Sequence, residues 1–277
     1  MKVCLILSGG GSNGIVQVGY CKYFAEKNVQ FEVITGTSTG ALQGAMYAQN
    51  RFDELMKIWY SIGSHKDIYR HHFPFSFLQG IFKKSLYSAA PLRNKIDAFV
   101  DVDVLIKSRQ RFISCSTNIT TQKVHYVEST EDNRHLIKDF IYASAAFPLA
   151  FEPVQKNGEY FWDGGLVEPI PVKRAVEACP DADLYIIGLT NPVYEVPKKD
   201  FGKTILGFTF RAIESMFQEI WENDIEKGQK YWVDSKFVLL SPDYPPFPSS
   251  LEWYPNMYDD KIALGYNIAR NVLQGVL

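Results

Sequence analysis

The 277-residue chain carries 29 Lys and Arg against 31 Asp and Glu, a formal net charge of −2, with 46% hydrophobic and 22% charged residues. That is the balance of an ordinary globular protein, and a near-neutral surface argues against a polyanionic partner, so nucleic acid is excluded first. Four cysteines, Cys4, Cys21, Cys115 and Cys179, form no C-x-x-C pair and are expected as buried free thiols in strands or helices, which fits a reduced, cytoplasmic setting.

Val3 to Leu7 is a continuous apolar run, suited to a strand of a parallel sheet buried on both faces. It is too short for a signal segment, and no 18-residue apolar run follows elsewhere, so no membrane span is expected. Gly9-Gly10-Gly11-Ser12-Asn13-Gly14 then opens a helix over about Gly14 to Lys27, with Ile15, Val18, Tyr20, Cys21 and Phe24 on its apolar side. A second strand, Phe31 to Thr35, runs into Gly36-Thr37-Ser38-Thr39-Gly40. The small residues Gly40, Ala41, Gly44, Ala45 and Ala48 predict a helix that lies close against the sheet.

Phe52 to Ser61 reads as an amphipathic helix. From His65 to Ala90 periodicity breaks, and Tyr69, Phe73, Phe75, Phe77, Phe82 and Tyr87 interleave with Arg70, His71, His72, Lys83 and Lys84. Two readings stand: a lid or bilayer-contacting surface, and a loop-rich insertion whose aromatics fill the core. Pro91 starts a helix; Arg111 to Asn118 and Lys123 to Glu128 form a hairpin at a sheet edge; a helix covers Leu136 to Ala146. Asn157-Gly158 joins two further arms, Phe151 to Gln155 and Tyr160 to Trp162, and the second delivers Asp163-Gly164-Gly165. A helix at Val172 to Ala178 and a buried strand at Leu184 to Leu189 follow; then come a long helix around Ile205 to Lys230, a strand at Phe237 to Leu240, a Pro- and aromatic-rich loop and a final helix. This alternation predicts an α/β sandwich forming one domain over 1–277, with the motif-bearing core in 1–190 and a variable part in 191–277.

Gly36-Thr37-Ser38-Thr39-Gly40 is a G-x-S-x-G elbow, in which flanking glycines let a strand turn abruptly into a helix and leave the serine hydroxyl exposed. A hydroxyl needs a base. The five histidines, His65, His71, His72, His125 and His135, all precede Asp163, so the Ser, acid, His order of α/β-hydrolases fails if Asp163 is the acid. A triad of His125 or His135 with Asp97, Asp101 or Asp103 stays open, because triads are geometric. So does a two-residue site of Ser38 and Asp163, although an ordinary carboxylate is a weak base for an alcohol and Asp-Gly is most often only a turn. Backbone N–H groups of the glycine loop and Thr39 are the candidate oxyanion donors, Gly9, Gly10 and Gly11 among them. The same Gly9-x-Gly11-x-x-Gly14 spacing fits a dinucleotide fingerprint, but Glu32 lies at the wrong end of the second strand for the ribose, and no Gly-Lys-Ser/Thr follows for a Walker loop.

Taken together, these residues resemble the patatin-like phospholipase family, whose marks are a GGGxxG loop, a GxSxG elbow and a later DGG, here Gly9 to Gly14, Gly36 to Gly40 and Asp163 to Gly165. Ala143-Ser144-Ala145-Ala146-Phe147-Pro148, followed by Phe151-Glu152-Pro153-Val154, and Ser88-Ala89-Ala90-Pro91-Leu92-Arg93 are similar to further family segments. The resemblance covers about residues 1–190. It implies a three-layer α/β/α fold with a mainly parallel central sheet, and hydrolysis of lipid or phospholipid esters by a Ser38–Asp163 dyad without metal or cofactor. It further implies an oxyanion hole at Gly9, Gly10, Gly11 and Thr39, with supporting glycines at Gly14, Gly36, Gly40, Gly164 and Gly165; peripheral contact with a membrane surface is expected from the aromatic and cationic stretch of residues 65–90 instead. One departure stands out: the family often has Arg or Lys before the last glycine of the loop, where this chain has Asn13. A non-enzymatic lipid-binding homologue is the alternative that this departure favours.

Overall fold

A computed structural model describes residues 1–71, 84–192 and 237–277, and between the last two residues 208, 212, 215, 216, 219–224 and 226. In chain order the strands are β1 (Val3–Leu7), β2 (Val33–Thr37), β3 (Arg70–His71), β4 (Tyr87–Ser88), β5 (Arg111–Asn118), β6 (Lys123–Glu128), β7 (Val154–Lys156), β8 (Glu159–Asp163), β9 (Leu184–Gly188) and β10 (Phe237–Leu240). The helices are α1 (Ile15–Glu26), α2 (Thr39–Ala48), α3 (Phe52–Tyr60), α4 (Ala90–Phe99), α5 (Val102–Lys107), α6 (Ile137–Ser144), α7 (Val172–Ala178) and α8 (Tyr258–Leu273).

The main sheet runs β10-β9-β1-β2-β5-β8-β7, with β6 on β5. Pairs from β10 to β5 are parallel, whereas β6, β7 and β8 pair antiparallel. Strand alternation sends Val3, Leu5, Leu7, Ile34 and Phe112 into the larger core, with residues of α1, α2, α3, α6 and α8. Cys4, Ile6, Val33, Ile113 and Ile187 face the opposite core, with Val172 and Ala175 of α7 and with Trp221. Burial on both faces explains why β1 and β9 read as unbroken apolar runs rather than alternating ones.

The second strand begins and ends two residues later than the apolar pattern suggests, at Val33 and Thr37, which brings Gly36 and Thr37 into the sheet. Asn157 (φ 51°) and Gly158 (φ 82°) both take positive φ, as a two-residue hairpin turn between β7 and β8 requires. Cys4, Cys21 and Cys115 lie in a strand or helix and Cys179 directly follows α7; all four are buried and free. Phe73, Phe75, Phe77 and Phe82 lie outside the described residues. Among the described residues no helix is long and apolar enough to cross a membrane.

Candidate active site

Two consecutive positions of β5 assemble the site. Cys115 is registered with Thr37 at the end of β2, and Ser116 with Asp163 at the end of β8. β2 and β8 share one edge of β5 and meet end to end, so the residue after Thr37, Ser38, arrives beside Asp163. Sequence separation is no obstacle once the register is set.

Ser38 has φ 56° and ψ −124°, outside the regions L-residues favour, at the junction of β2 and α2. The flanking glycines are there for space. A Cβ on Gly36 would come within 2.4 Å of the Gly40 carbonyl oxygen, and one on Gly40 within 2.4 Å of the Leu7 carbonyl oxygen. The strained turn is held by Ser144, fully buried on α6, whose Oγ accepts the Ser38 N–H at 2.8 Å. Two residues further on, the Ala146 carbonyl accepts the Asp163 N–H at 3.1 Å. The Ala143–Pro148 segment thus grips Ser38 and Asp163 together, a role its composition alone does not announce.

Asp163 is 2% exposed. Its Oδ1 accepts the Gly165 N–H at 2.8 Å, and the Ser38 side chain lies near enough to favour its charged form. Burial pushes it up to about 7, against the lowering effect of the Gly165 N–H and of Ser38. The weak-base objection to an ordinary carboxylate is therefore removed, because a base poised near neutrality is both ionised and proton-accepting at working pH. Gly164 must be small: a Cβ there would lie 2.5 Å from the Cys115 carbonyl oxygen.

His125 and the three aspartates offered for an alternative triad are each engaged elsewhere. His125 is wedged between Phe140 and Phe161, at 4.8 and 4.9 Å between ring centres, and burial lowers its affinity for a proton. His65 packs tilted against Tyr69, and His71 on β3 meets the ring of Tyr87 on β4 edge-on. Asp97 and Asp103 face Lys138 and Arg134 at the surface, and Asp101 caps α5.

The glycine loop lies against the elbow: a Cβ on Gly9 would be 3.2 Å from the Ser38 Cβ. Gly9 nevertheless drops out as an oxyanion donor, since its N–H is taken by the Pro169 carbonyl at 3.1 Å. The N–H groups of Gly10, Gly11 and Thr39 carry no hydrogen bond among the described residues, and those of Thr39 and Gly40 open α2, where a helix presents unpaired donors. Gly10 takes φ 153° and Gly11 φ 56°. The loop is clasped from the C-terminal side: the Ser12 N–H donates to the Ser250 carbonyl at 2.8 Å and the Ser12 hydroxyl to that of Ser249 at 3.0 Å. Asn13, 3% exposed, donates through Nδ2 to Asn191 Oδ1 at 2.7 Å and accepts the Phe247 N–H at 2.9 Å. It is a strut, not a vacant substitute for a cation, and so lends no weight to a non-enzymatic reading. Glu32 precedes β2, away from the place a ribose-binding acid would occupy.

The family model described as patatin-like phospholipase matches residues 5–176, more than half of the chain. Lysophospholipase NTE1 of Debaryomyces hansenii is 26% identical over 221 residues, 75% of this chain and 13% of that protein. An uncharacterised NTE family protein of Mycobacterium tuberculosis is 26% identical over 204 residues, 72% of this chain and 52% of that protein. The chain thus spans about half or less of the length of these relatives. Among solved structures, VipD from Legionella pneumophila superposes with a TM-score of 0.51 at 14% identity, over 99% of this chain and 67% of that one, a likeness of fold.

Proposed function

Since the chain belongs to the patatin-like phospholipase family, we propose that it is a lipid acyl hydrolase working through a Ser38–Asp163 dyad. The observation that carries this reading is a strained, partly exposed serine set beside a buried carboxylate lifted to about 7. Ionised Asp163 takes the hydroxyl proton as Ser38 Oγ adds to the ester carbonyl. The oxyanion that forms is met by the free N–H groups of Gly10, Gly11 and Thr39, each such donor contributing roughly 3–4 kcal/mol to transition-state stabilisation. Collapse expels the alcohol, which leaves with the proton from Asp163. Water, deprotonated by the same carboxylate, then releases the fatty acid from the acyl-serine.

The substrate class is a phospholipid or lysophospholipid, in keeping with the lysophospholipase named among the relatives, and access to it is by peripheral contact with a lipid surface. A fluorophosphonate probe should label the wild-type protein and not Ser38→Ala, with Asp163→Asn reduced by at least about 100-fold, the usual scale for a lost general base. Equal labelling of all three would refute the dyad. Mass analysis of products from a lipid panel identifies the ester cleaved.

A further inference from the structure

A second acid is buried next to the first. Glu168, five residues beyond Asp163, is 9% exposed and plays no part in the mechanism above. Its backbone is the buckle between the two halves of the site: its N–H donates to the Gly164 carbonyl at 2.8 Å, and its carbonyl accepts the Thr37 hydroxyl at 3.0 Å. Thr37 immediately precedes the nucleophile and Gly164 immediately follows the acid. The Cys115 thiol, on the strand that registers both, lies 3.7 Å from the same carbonyl. What fixes this buckle laterally is the side chain, whose Oε2 accepts the hydroxyl of Tyr126 on β6.

We infer that Glu168 is a positioning residue of the hydrolytic site, its carboxylate anchored by Tyr126 so that the turn carrying Asp163 stays latched to the strand end carrying Ser38. The inference rests on the dyad reading. Because the anchor is ionisable, the latch is sensitive to pH. Burial pushes Glu168 up to about 7, while the Tyr126 hydrogen bond and Lys173 on α7 favour its charged form and Glu177 on the same helix opposes it. Cys115 faces it from β5, and Asp163 and Asp224 act on that same thiol. Arg174 lies over the Tyr126 ring at 5.7 Å and pairs with Glu128 and Glu177. Above about 7 the anchor is a carboxylate accepting a charge-assisted bond; below, Tyr126 meets a neutral acid and the bond falls to about half its strength.

The test is the pH profile of kcat/KM on a soluble short-chain ester, with thermal unfolding as a folding control. In the wild type, Asp163 and Glu168 both lose function by protonation in one range, so the acid limb is steeper than a single ionisation gives. Glu168→Gln keeps the shape and an acceptor; it should lower the plateau by less than about tenfold and leave a limb with single-proton slope. Tyr126→Phe removes the bond that holds Glu168 down, so its limb should move to higher pH. A purely structural role would lower Tm or the plateau and move neither slope nor midpoint. Profiles of both variants that superimpose on the wild type after scaling overturn the inference; should Glu168→Gln fail to fold, an unmoved limb in Tyr126→Phe does so alone. Absence of probe labelling at Ser38 in the wild type is instead the failure of the dyad reading itself.

Discussion

The elbow and the acid turn meet end to end on one strand, yet their peculiarities are of opposite kinds. At the elbow the peculiarity is in the backbone: Ser38 sits at φ 56°, and glycines two residues away on either side give the chain room to turn. At the acid turn the backbone of Asp163 is relaxed, at φ −47° and ψ 133°, and the peculiarity lies in solvation, a carboxylate in a dry site held by Gly165 and Ser38. One half stores conformational strain, the other an unfavourable ionisation. Strain is local and independent of pH; desolvation is assembled from distant strands and titrates.

The comparison breaks most visibly at Ser144, which touches the elbow and not the carboxylate. Ser144→Ala leaves the Ser38 N–H without its acceptor, a loss of roughly 1–3 kcal/mol, and should lower kcat by about tenfold or more with little change in KM. Its acid limb should stay where the wild type has it. A limb displaced in Ser144→Ala, measured by the same kinetics across pH, would mean that strain and ionisation are not separable.

The same division decides how much was legible in the sequence. The elbow and the glycine loop are short-range constructions, so Gly36 to Gly40 and Gly9 to Gly14 declare themselves in five or six letters. Even there Gly9 misleads, because whether its N–H is free depends on Pro169, far along the chain. Asp163 is legible as a motif residue but not as a base near neutrality, since its burial is settled by how β8 meets β2 on β5. Ser144 and Glu168 carry no signature of their own. The family segment around Ala143 to Pro148 hinted at the first; nothing short-range could reveal the second, whose partners are Thr37 and Tyr126.

Asn13 gives a smaller effect on the loop side of the elbow. It joins the glycine loop to Asn191 and Phe247, residues beyond the span matched by the family model. Asn13→Ala should lower kcat by only a few-fold, with probe labelling slowed in proportion, because the loop keeps its Ser12 bonds to Ser249 and Ser250. Asn13→Lys should do worse despite matching the family's usual cation. An ammonium placed where the side chain is 3% exposed has no buried counter-charge among the partners of Asn13. Activity gained in Asn13→Lys would show that the position looks outward to the substrate rather than inward to the strut.

The finest contrast is in stability. Asp163 holds its proton to about 7 in the folded chain, whereas in the unfolded chain it releases it near the ordinary value of about 3.9. Between those values the folded state binds more protons, so the contribution of this group is fully present at low pH and is lost as pH rises through about 7. Asp163→Asn, uncharged throughout, escapes that loss: its Tm relative to wild type should climb between about pH 4 and about pH 7, at roughly 2–4 °C per kcal/mol for a chain of this class. Glu168 titrates in the same sense, but it does so in both proteins and drops out of the difference as long as the two sites remain independent. Ser38→Ala should show no such climb, because the strained turn at the elbow, which alanine keeps, carries no proton. It should move the other way by a little, since removing the hydroxyl takes from the ionised carboxylate one of the two groups that favour its charge. A parallel pH dependence in both variants would place the cost of this site in the backbone turn alone, and the distinction between its two halves would fall with it.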